Sequence, residues 1–282
     1  MTLGAADVRR MLAEHGLRPS RALGQNFVTD ANTVRRIARL ADVGPGSRVV
    51  EIGAGLGSLT LALAETGASV TAVEVDRHLL PVLRQVVADC PGVTVAEADA
   101  LRTDFGALLG PAPDGWSLVA NLPYNVATPL VVRVLEEAPQ VGHLLVMVQR
   151  EVGERLAAGP GDEAYGAVSV KVAYWAKARV VGRVPPTVFV PRPAVDSALV
   201  RIDRRPEAAV PPEDVPYGRL FTVVGAGFAQ RRKMLRRSLA GVVAPEAFGA
   251  AGVSPQARAE ELGVEEWGRL AGPSAGTSAG AA

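Results

Sequence analysis

A single cysteine in 282 residues, Cys90, leaves the chain without the means to close an internal disulfide. An oxidised secreted scaffold is thereby excluded, and the opening "MTLGAADVRRMLAEHG" lacks the charged-then-apolar order of a secretory signal. A cytoplasmic location is expected. Long apolar runs are also missing, since stretches such as "HLLVMV" fall far short of the roughly 20 residues that cross a bilayer. No membrane partner is expected. The three histidines, His15, His78 and His143, are too scattered to suggest a metal centre. Nor is there an excess of one charge: 30 Lys and Arg against 29 Asp and Glu give a net +1, so any nucleic-acid role must rest on local clustering. A monomer is the default expectation.

Apolar residues make up 48% of the chain, enough for one large domain and a small one. Between about 47 and 203, short Val-rich runs ("RVVEIG", "SVTAVEV", "VTVAEA", "SLVANL", "HLLVMVQ") alternate with helix-compatible sequence. This predicts an α/β fold with a mostly parallel sheet covered by helices. "ARVVGRV" and "VDSALVRI", joined by "PPTVFVPRPA", are expected to close the sheet as a hairpin. After the Pro- and acid-rich "DRRPEAAVPPEDVP" the pattern turns wholly helical from about Tyr217 to Leu270. The expected organisation is therefore a domain at 1–204 whose first 46 residues are a helical segment, a small all-helical domain at 205–270, and a disordered tail at 271–282. Ser254 before Pro255 has the form of an N-cap with proline at the first helical position.

"VVEIGAGLGSLTLALAE" places Gly53, Gly55 and Gly57 between an apolar strand and an amphipathic helix. Glycines there permit a tight turn and let a ligand lie against the backbone at the helix start. Alone, the pattern also suits a nicotinamide enzyme or a plain strand-to-helix turn. Three acids shift the balance. Glu51 precedes the first glycine, Glu74 ends the second strand where a carboxylate can accept ribose hydroxyls, and Asp99 ends the third within reach of an adenine. An acid, a GxGxG loop and acids after the next two strands resemble the class I S-adenosylmethionine-dependent methyltransferases, with a Rossmann-like sheet. Carboxylates suit a sulfonium cation and would repel a pyrophosphate.

"NLPY" follows the fourth strand, at the sheet edge where open α/β folds bind ligands. An adenine 6-amino group is a weak nucleophile because its lone pair is delocalised into the ring. The Asn121 side-chain carbonyl and the Leu122 backbone carbonyl are placed to accept its two hydrogens, with Pro123 stiffening the turn and Tyr124 stacking on the base. A base in a duplex must flip out to reach such a platform.

With "LGQNFVTD", "EIGAGLGSLT", "VEVD", "EADAL", "NLPYNVATPL", "VQREVGERL", "YGAVSV", "FVPRPAVDSALVRI" and "FAQRRKMLRRSL" in order, the chain resembles the bacterial small-subunit rRNA adenine dimethyltransferases from about Leu17 to Leu270. Loss of these enzymes gives kasugamycin resistance. The resemblance implies S-adenosylmethionine as cofactor, 16S rRNA in small-subunit assembly intermediates as partner, and transfer of four methyl groups to two adjacent adenines in its 3′-terminal hairpin loop. It also implies that Asn26 and Val28 join Gly53, Gly55, Glu51, Glu74, Asp99 and Asn121 around the cofactor, and that Phe189 forms the second face of a base sandwich with Tyr124. Ala54 stands where relatives often carry proline. Macrolide-resistance relatives, which act on large-subunit rRNA, usually carry isoleucine and phenylalanine where Leu122 and Tyr124 stand. A non-catalytic assembly factor on the same fold is a further alternative. Finally, Arg231, Arg232, Lys233, Arg236 and Arg237 are expected on one helix, with Phe228, Met234, Leu235 and Leu239 facing the core and the cations facing RNA phosphates.

Overall fold

A computed structural model describes residues 2–20 and 23–272. Of the tail expected at 271–282, Ala271 belongs instead to the last helix and is buried, and residues 273–282 lie outside the described residues. The chain divides into two compact units, one holding the residues up to Glu154 with Arg179–Arg204, the other Arg155–Ala178 with the chain from Arg205 onward.

The first unit contains helix α1 (Ala5–Glu14), strand β1 (Phe27–Val28), α2 (Ala31–Ala41), β2 (Arg48–Ile52), α3 (Ser58–Ala64), β3 (Ser69–Glu74), α4 (Leu80–Val86), β4 (Val93–Glu97), α5 (Phe105–Leu109), β5 (Trp116–Asn121), α6 (Ala127–Glu137) and β6 (Val141–Gln149). It also holds β8 (Phe189–Val190), β9 (Ser197–Arg204) and most of β7 (Ala176–Val184), while α7 (Arg150–Ala157) runs across the division in the chain. Seven strands lie in the order β4-β3-β2-β5-β6-β9-β7. The pairs β2–β3, β3–β4, β2–β5 and β5–β6 are parallel, and β6–β9 is antiparallel. Parallel strands covered on both faces read as unbroken apolar runs, which is why Leu144–Val148 is buried throughout. Local signals set the helix ends: Asp30 accepts the Thr33 N–H at 2.7 Å to start α2, and Asp42 closes that helix in the left-handed region at φ 58°.

The second unit contains α8 (Ala167–Trp175), α9 (Tyr217–Ala229), α10 (Leu235–Ser238), α11 (Pro245–Ala251) and α12 (Val264–Ala271). The chain enters this unit at Arg205, where a boundary was expected, but the unit also takes in Arg155–Ala178, which was expected in the first domain. The sequence of α8, "AVSVKVAYW", buries Val170 and Tyr174 in one core with Leu220, Val224, Phe248 and Trp267. Tyr174 meets Tyr217 and Phe221 edge-on at 5.2 and 5.7 Å. The cation-rich segment is not one helix either. Helix α9 ends at Ala229, Met234 pairs as a bridge with Arg258, and the Leu235 N–H reaches the Ala257 carbonyl at 2.8 Å. That cross-link to the 254–258 segment turns the chain so that Leu235 and Leu239 are buried, while Met234, expected in the core, is 40% exposed. Ser254 and Pro255 begin a turn and not a helix, the Ser254 hydroxyl accepting from the Gln256 N–H at 3.2 Å.

Candidate active site

Register alone gathers the polar residues. Glu51 on β2 stands beside Ala72 of β3 and Val119 of β5. Two residues further along each strand come Gly53, Glu74 and Asn121, and side chains two apart share a face. Glu51, Glu74 and Asn121 therefore project from one face at the carboxyl ends of three adjacent strands. They border a cavity of about 240 Å³, whose walls also include Asn26, Val28, Gly53, Gly55, Asp99, Leu122, Pro123 and Tyr124.

The turn after β2 is tied to β3. The N–H groups of Gly53 and Ala54 share the Val73 carbonyl, at 2.8 and 3.1 Å, and the Gly55 N–H donates to Glu74 Oε2 at 2.7 Å. Gly55 has φ 59°, and a Cβ there would lie 3.1 Å from the Phe27 ring, so both conformation and space demand glycine. Glu74 Oε1 accepts from the N–H groups of Val75 and Asp76. Burial raises the Glu74 carboxyl above its ordinary value, against the opposing pull of these three N–H donors.

Glu51 is 1% exposed and accepts the Thr60 hydroxyl at 2.6 Å. Burial, helped by the neighbouring Glu74 charge and opposed by Thr60, pushes its carboxyl up to about 8. Asp99 is more open. One oxygen accepts the Leu101 N–H at 2.9 Å and the other faces Arg102 at 3.5 Å.

The segment before β1 lies against the "NLPY" turn. The Asn121 amide donates from Nδ2 to the Asn26 carbonyl at 3.0 Å, which leaves Oδ1 as the group's acceptor. The Leu122 N–H is anchored to the Met147 carbonyl at 3.0 Å. Tyr124 is half-buried, its ring on the cavity wall and its hydroxyl 3.4 Å from Ser197 Oγ. Gly24, at φ 61°, packs where a Cβ would come within 3.0 Å of Asn125 Oδ1 and 3.1 Å of Pro123 Cβ. Gln25 donates to Asp76 at 2.8 Å and accepts the Ser20 N–H at 2.8 Å, joining this segment to the loop after Glu74.

Sequence reasoning missed Gly24, Gln25, Thr60 and Ser58. Gly24, Gln25 and Thr60 meet partners distant along the chain, and Ser58 only lines the cavity, so spacing carries no sign of them. Phe189 is a correction in the other direction. It pairs with Val28 between β8 and β1, is 3% exposed in a core cluster with Val34 and Ile37, and does not line the cavity. In a two-residue strand the inward side goes to whichever residue fills the core, and here that is the phenylalanine.

Of the five cations, Arg231 is held within its own unit by Glu260 at 2.7 Å and the Glu163 carbonyl at 2.6 Å. Arg232, Lys233, Arg236 and Arg237 are exposed, and among the described residues no ion pair engages them. Among the described residues there is also no group of three or more His, Cys, Asp or Glu able to hold a metal, and no helix long and apolar enough to cross a membrane.

A family model described as "Ribosomal RNA adenine dimethylase" matches residues 17–272. A protein of Thermobifida fusca (strain YX) named "Ribosomal RNA small subunit methyltransferase A" is 50% identical over 280 residues, covering 95% of this chain and 95% of its own. A protein of the same name from Cutibacterium acnes (strain DSM 16379 / KPA171202) is 48% identical over 276 residues, covering 95% and 93%. Among solved structures, the 23S rRNA methyltransferase ErmE aligns with a TM-score of 0.69 at 27% identity, over 87% of this chain and 98% of its own. A dimethyladenosine transferase from Plasmodium falciparum aligns at 0.70 over 86% and 95%; at 20% identity that likeness concerns the fold.

Proposed function

The chain belongs to the ribosomal RNA adenine dimethylase family, and from that premise we propose that it is an S-adenosylmethionine-dependent enzyme of small-subunit rRNA. It methylates the 6-amino groups of two adjacent adenines in the 3′-terminal hairpin loop of 16S rRNA, dimethylating both, in the cytoplasm during subunit assembly. One observation carries this reading: the acid–glycine loop, Glu74, Asp99 and the "NLPY" turn border a single cavity.

The lining fits the donor. It holds three carboxyl side chains and, among the described residues, no Lys, Arg or His, which favours a sulfonium over a dinucleotide's pyrophosphate. Ser58 Oγ, on the same wall, is buried without a hydrogen-bond partner and is available to a polar ligand. When bound, S-adenosylmethionine supplies an electrophilic methyl group. Glu74 receives the ribose hydroxyls, Asp99 the adenine amino group, and the Gly53–Gly55 backbone with Asn26 and Val28 encloses the rest.

On the acceptor side, Asn121 Oδ1 and the Leu122 carbonyl take the two amino hydrogens of the target adenine. Drawing those hydrogens out of the ring plane returns the lone pair to nitrogen, where it can attack in line. Tyr124 is the platform for the base, a contact worth about 1–3 kcal/mol. Exposed Arg232, Lys233, Arg236 and Arg237 of the second unit meet rRNA phosphates, which position without reading sequence. Arg231 is committed to Glu260 and does not join them.

The test is incubation with labelled methyl donor and undermethylated small subunits, followed by mapping. Label on two adjacent adenines of the small-subunit loop is expected. Label on large subunits alone would favour the reading suggested by ErmE, and binding without label would leave an assembly factor.

A further inference from the structure

Glu51 has no role in the scheme above beyond lining the cavity, yet its setting is unusual for a carboxyl group. It lies on the same sheet face as Glu74 and Asn121, and among the described residues the hydroxyl of Thr60 on α3 is its one hydrogen-bond donor. The other titratable groups of the lining are Glu74 at the end of β3, Asp99 after β4 and Tyr124 after β5, with Asp76 beside Glu74; β5 contributes Asn121, α3 contributes Ser58 and Thr60, and the 23–28 segment contributes no charge. Among the described residues the lining holds no Lys, Arg or His to keep Glu51 ionised.

We propose that Glu51 distinguishes the methylated donor from its demethylated product by charge, keeping its proton beside a neutral thioether and releasing it beside a sulfonium. This rests on the S-adenosylmethionine reading of the cavity. Donor binding then converts a carboxylic acid into a carboxylate with one proton passed to solvent. On methyl transfer, the S–C bond breaks and its electron pair stays on sulfur, the N–C bond forms, and the amine gives up one proton. The positive charge at sulfur is gone, and Glu51 takes one proton back. The product is left against a neutral wall and the next donor meets an ionisable one.

Backbone geometry sets the size of the effect. Neighbouring strands lie about 4.8 Å apart and two residues advance about 6.7 Å, so Asn121, where transfer takes place, stands about 8 Å from Glu51. A unit positive charge at about 8 Å in a medium of effective dielectric about 20 lowers a carboxyl pKa by about 1.5 units. Burial holds the Glu51 carboxyl at about 8 without that charge. The donor should therefore release about two-thirds of a proton near neutral pH that the product does not, and its affinity relative to the product should rise about twentyfold between about pH 6 and about pH 8.5.

Titration calorimetry on the whole protein, in phosphate and in Tris, counts these protons for S-adenosylmethionine and S-adenosylhomocysteine. Amino and carboxylate groups common to the two ligands cancel in the difference. The expected result is an excess release for the donor that disappears in Glu51→Gln. Should that variant not fold, Thr60→Val removes the O–H that favours the anion and should move the midpoint of the wild-type pH profile upward. Equal proton counts for the two ligands, an excess that survives Glu51→Gln, or an unmoved midpoint in Thr60→Val would each overturn the proposal. If neither ligand binds the wild-type protein, the cofactor reading itself fails.

Discussion

Replacing Asn121 by aspartate preserves shape and keeps an oxygen for the adenine amino group, so it isolates what the amide nitrogen does. If the side chain served only as an acceptor, Asn121→Asp would be nearly silent and Asn121→Ala would not. The structure gives the nitrogen a task, because Nδ2 donates to the Asn26 carbonyl at 3.0 Å and thereby fixes both the amide orientation and the segment that closes the cavity. In Asn121→Asp that hydrogen bond, worth about 0.5–1.5 kcal/mol, is lost, and a part-buried carbonyl faces an oxygen, at a further cost of about 1–3 kcal/mol. A combined loss of about 1.5–4.5 kcal/mol corresponds to roughly a tenfold to 2,000-fold drop in kcat/KM. Methylation of undermethylated subunits gives that ratio, and hydrogen exchange across residues 23–28 should speed up in parallel. Lowering the pH should recover part of the activity, since the protonated carboxyl again offers a donor to Asn26. An aspartate variant within threefold of wild type, with unchanged exchange at 23–28, would refute the reasoning.

Glu74→Ala removes the proposed ribose acceptor, where each hydrogen bond to a charged group is worth about 1.5–3 kcal/mol, so calorimetry should show donor affinity at least tenfold weaker. Tyr124→Ala should cut turnover with little change in donor binding, while Tyr124→Phe keeps much of the activity because the ring face is what stacks; steady-state kinetics beside donor titrations checks both. Arg232→Ala with Arg236→Ala should flatten the log-affinity against log-salt slope for subunit binding by roughly two units and leave donor affinity alone. The Glu51 carboxyl, raised to about 8 by burial, favours the folded state when neutral. Its contribution is full below the unfolded value near 4.5 and is lost as pH rises through about 8, by an amount on the order of 4–5 kcal/mol, so denaturant melts of the ligand-free Glu51→Gln protein should decline less over that window.

The sheet was readable because strands covered on both faces tolerate few polar interruptions, so β2, β3, β5 and β6 stand out as apolar runs. The passage to the second unit after residue 204 was marked by its Pro- and acid-rich segment, but the assignment of Arg155–Ala178 to that unit was not readable. An apolar helix such as α8 announces that it is buried, yet its composition does not say in which core, and only contact with Tyr217 and Phe221 assigns it to the second unit. The break after Ala229 was hidden for a related reason. "QRRKM" has no proline or glycine to stop a helix, and what stops it is the pairing of Met234 with Arg258, some two dozen residues downstream.

Spacing found the three acids because each lies at or within two residues of a strand's carboxyl end on the same edge, but it made them look equivalent, and they are not. Asp99 shares its charge with solvent and Arg102. Glu74 is buried but held by three backbone N–H groups, so the turn that presents it also supports its charge. Glu51 is buried more deeply with one hydroxyl for company. The difference comes from what folds over each position. The turn after Glu74 leads its own N–H groups back to the carboxylate, whereas the chain after Glu51 runs on through the glycine loop into α3 and returns only the Thr60 side chain. A motif written as acid, glycines, acid, acid therefore locates the cavity's acids, and how far burial raises the Glu51 and Glu74 carboxyls is set by neighbours that the motif does not contain.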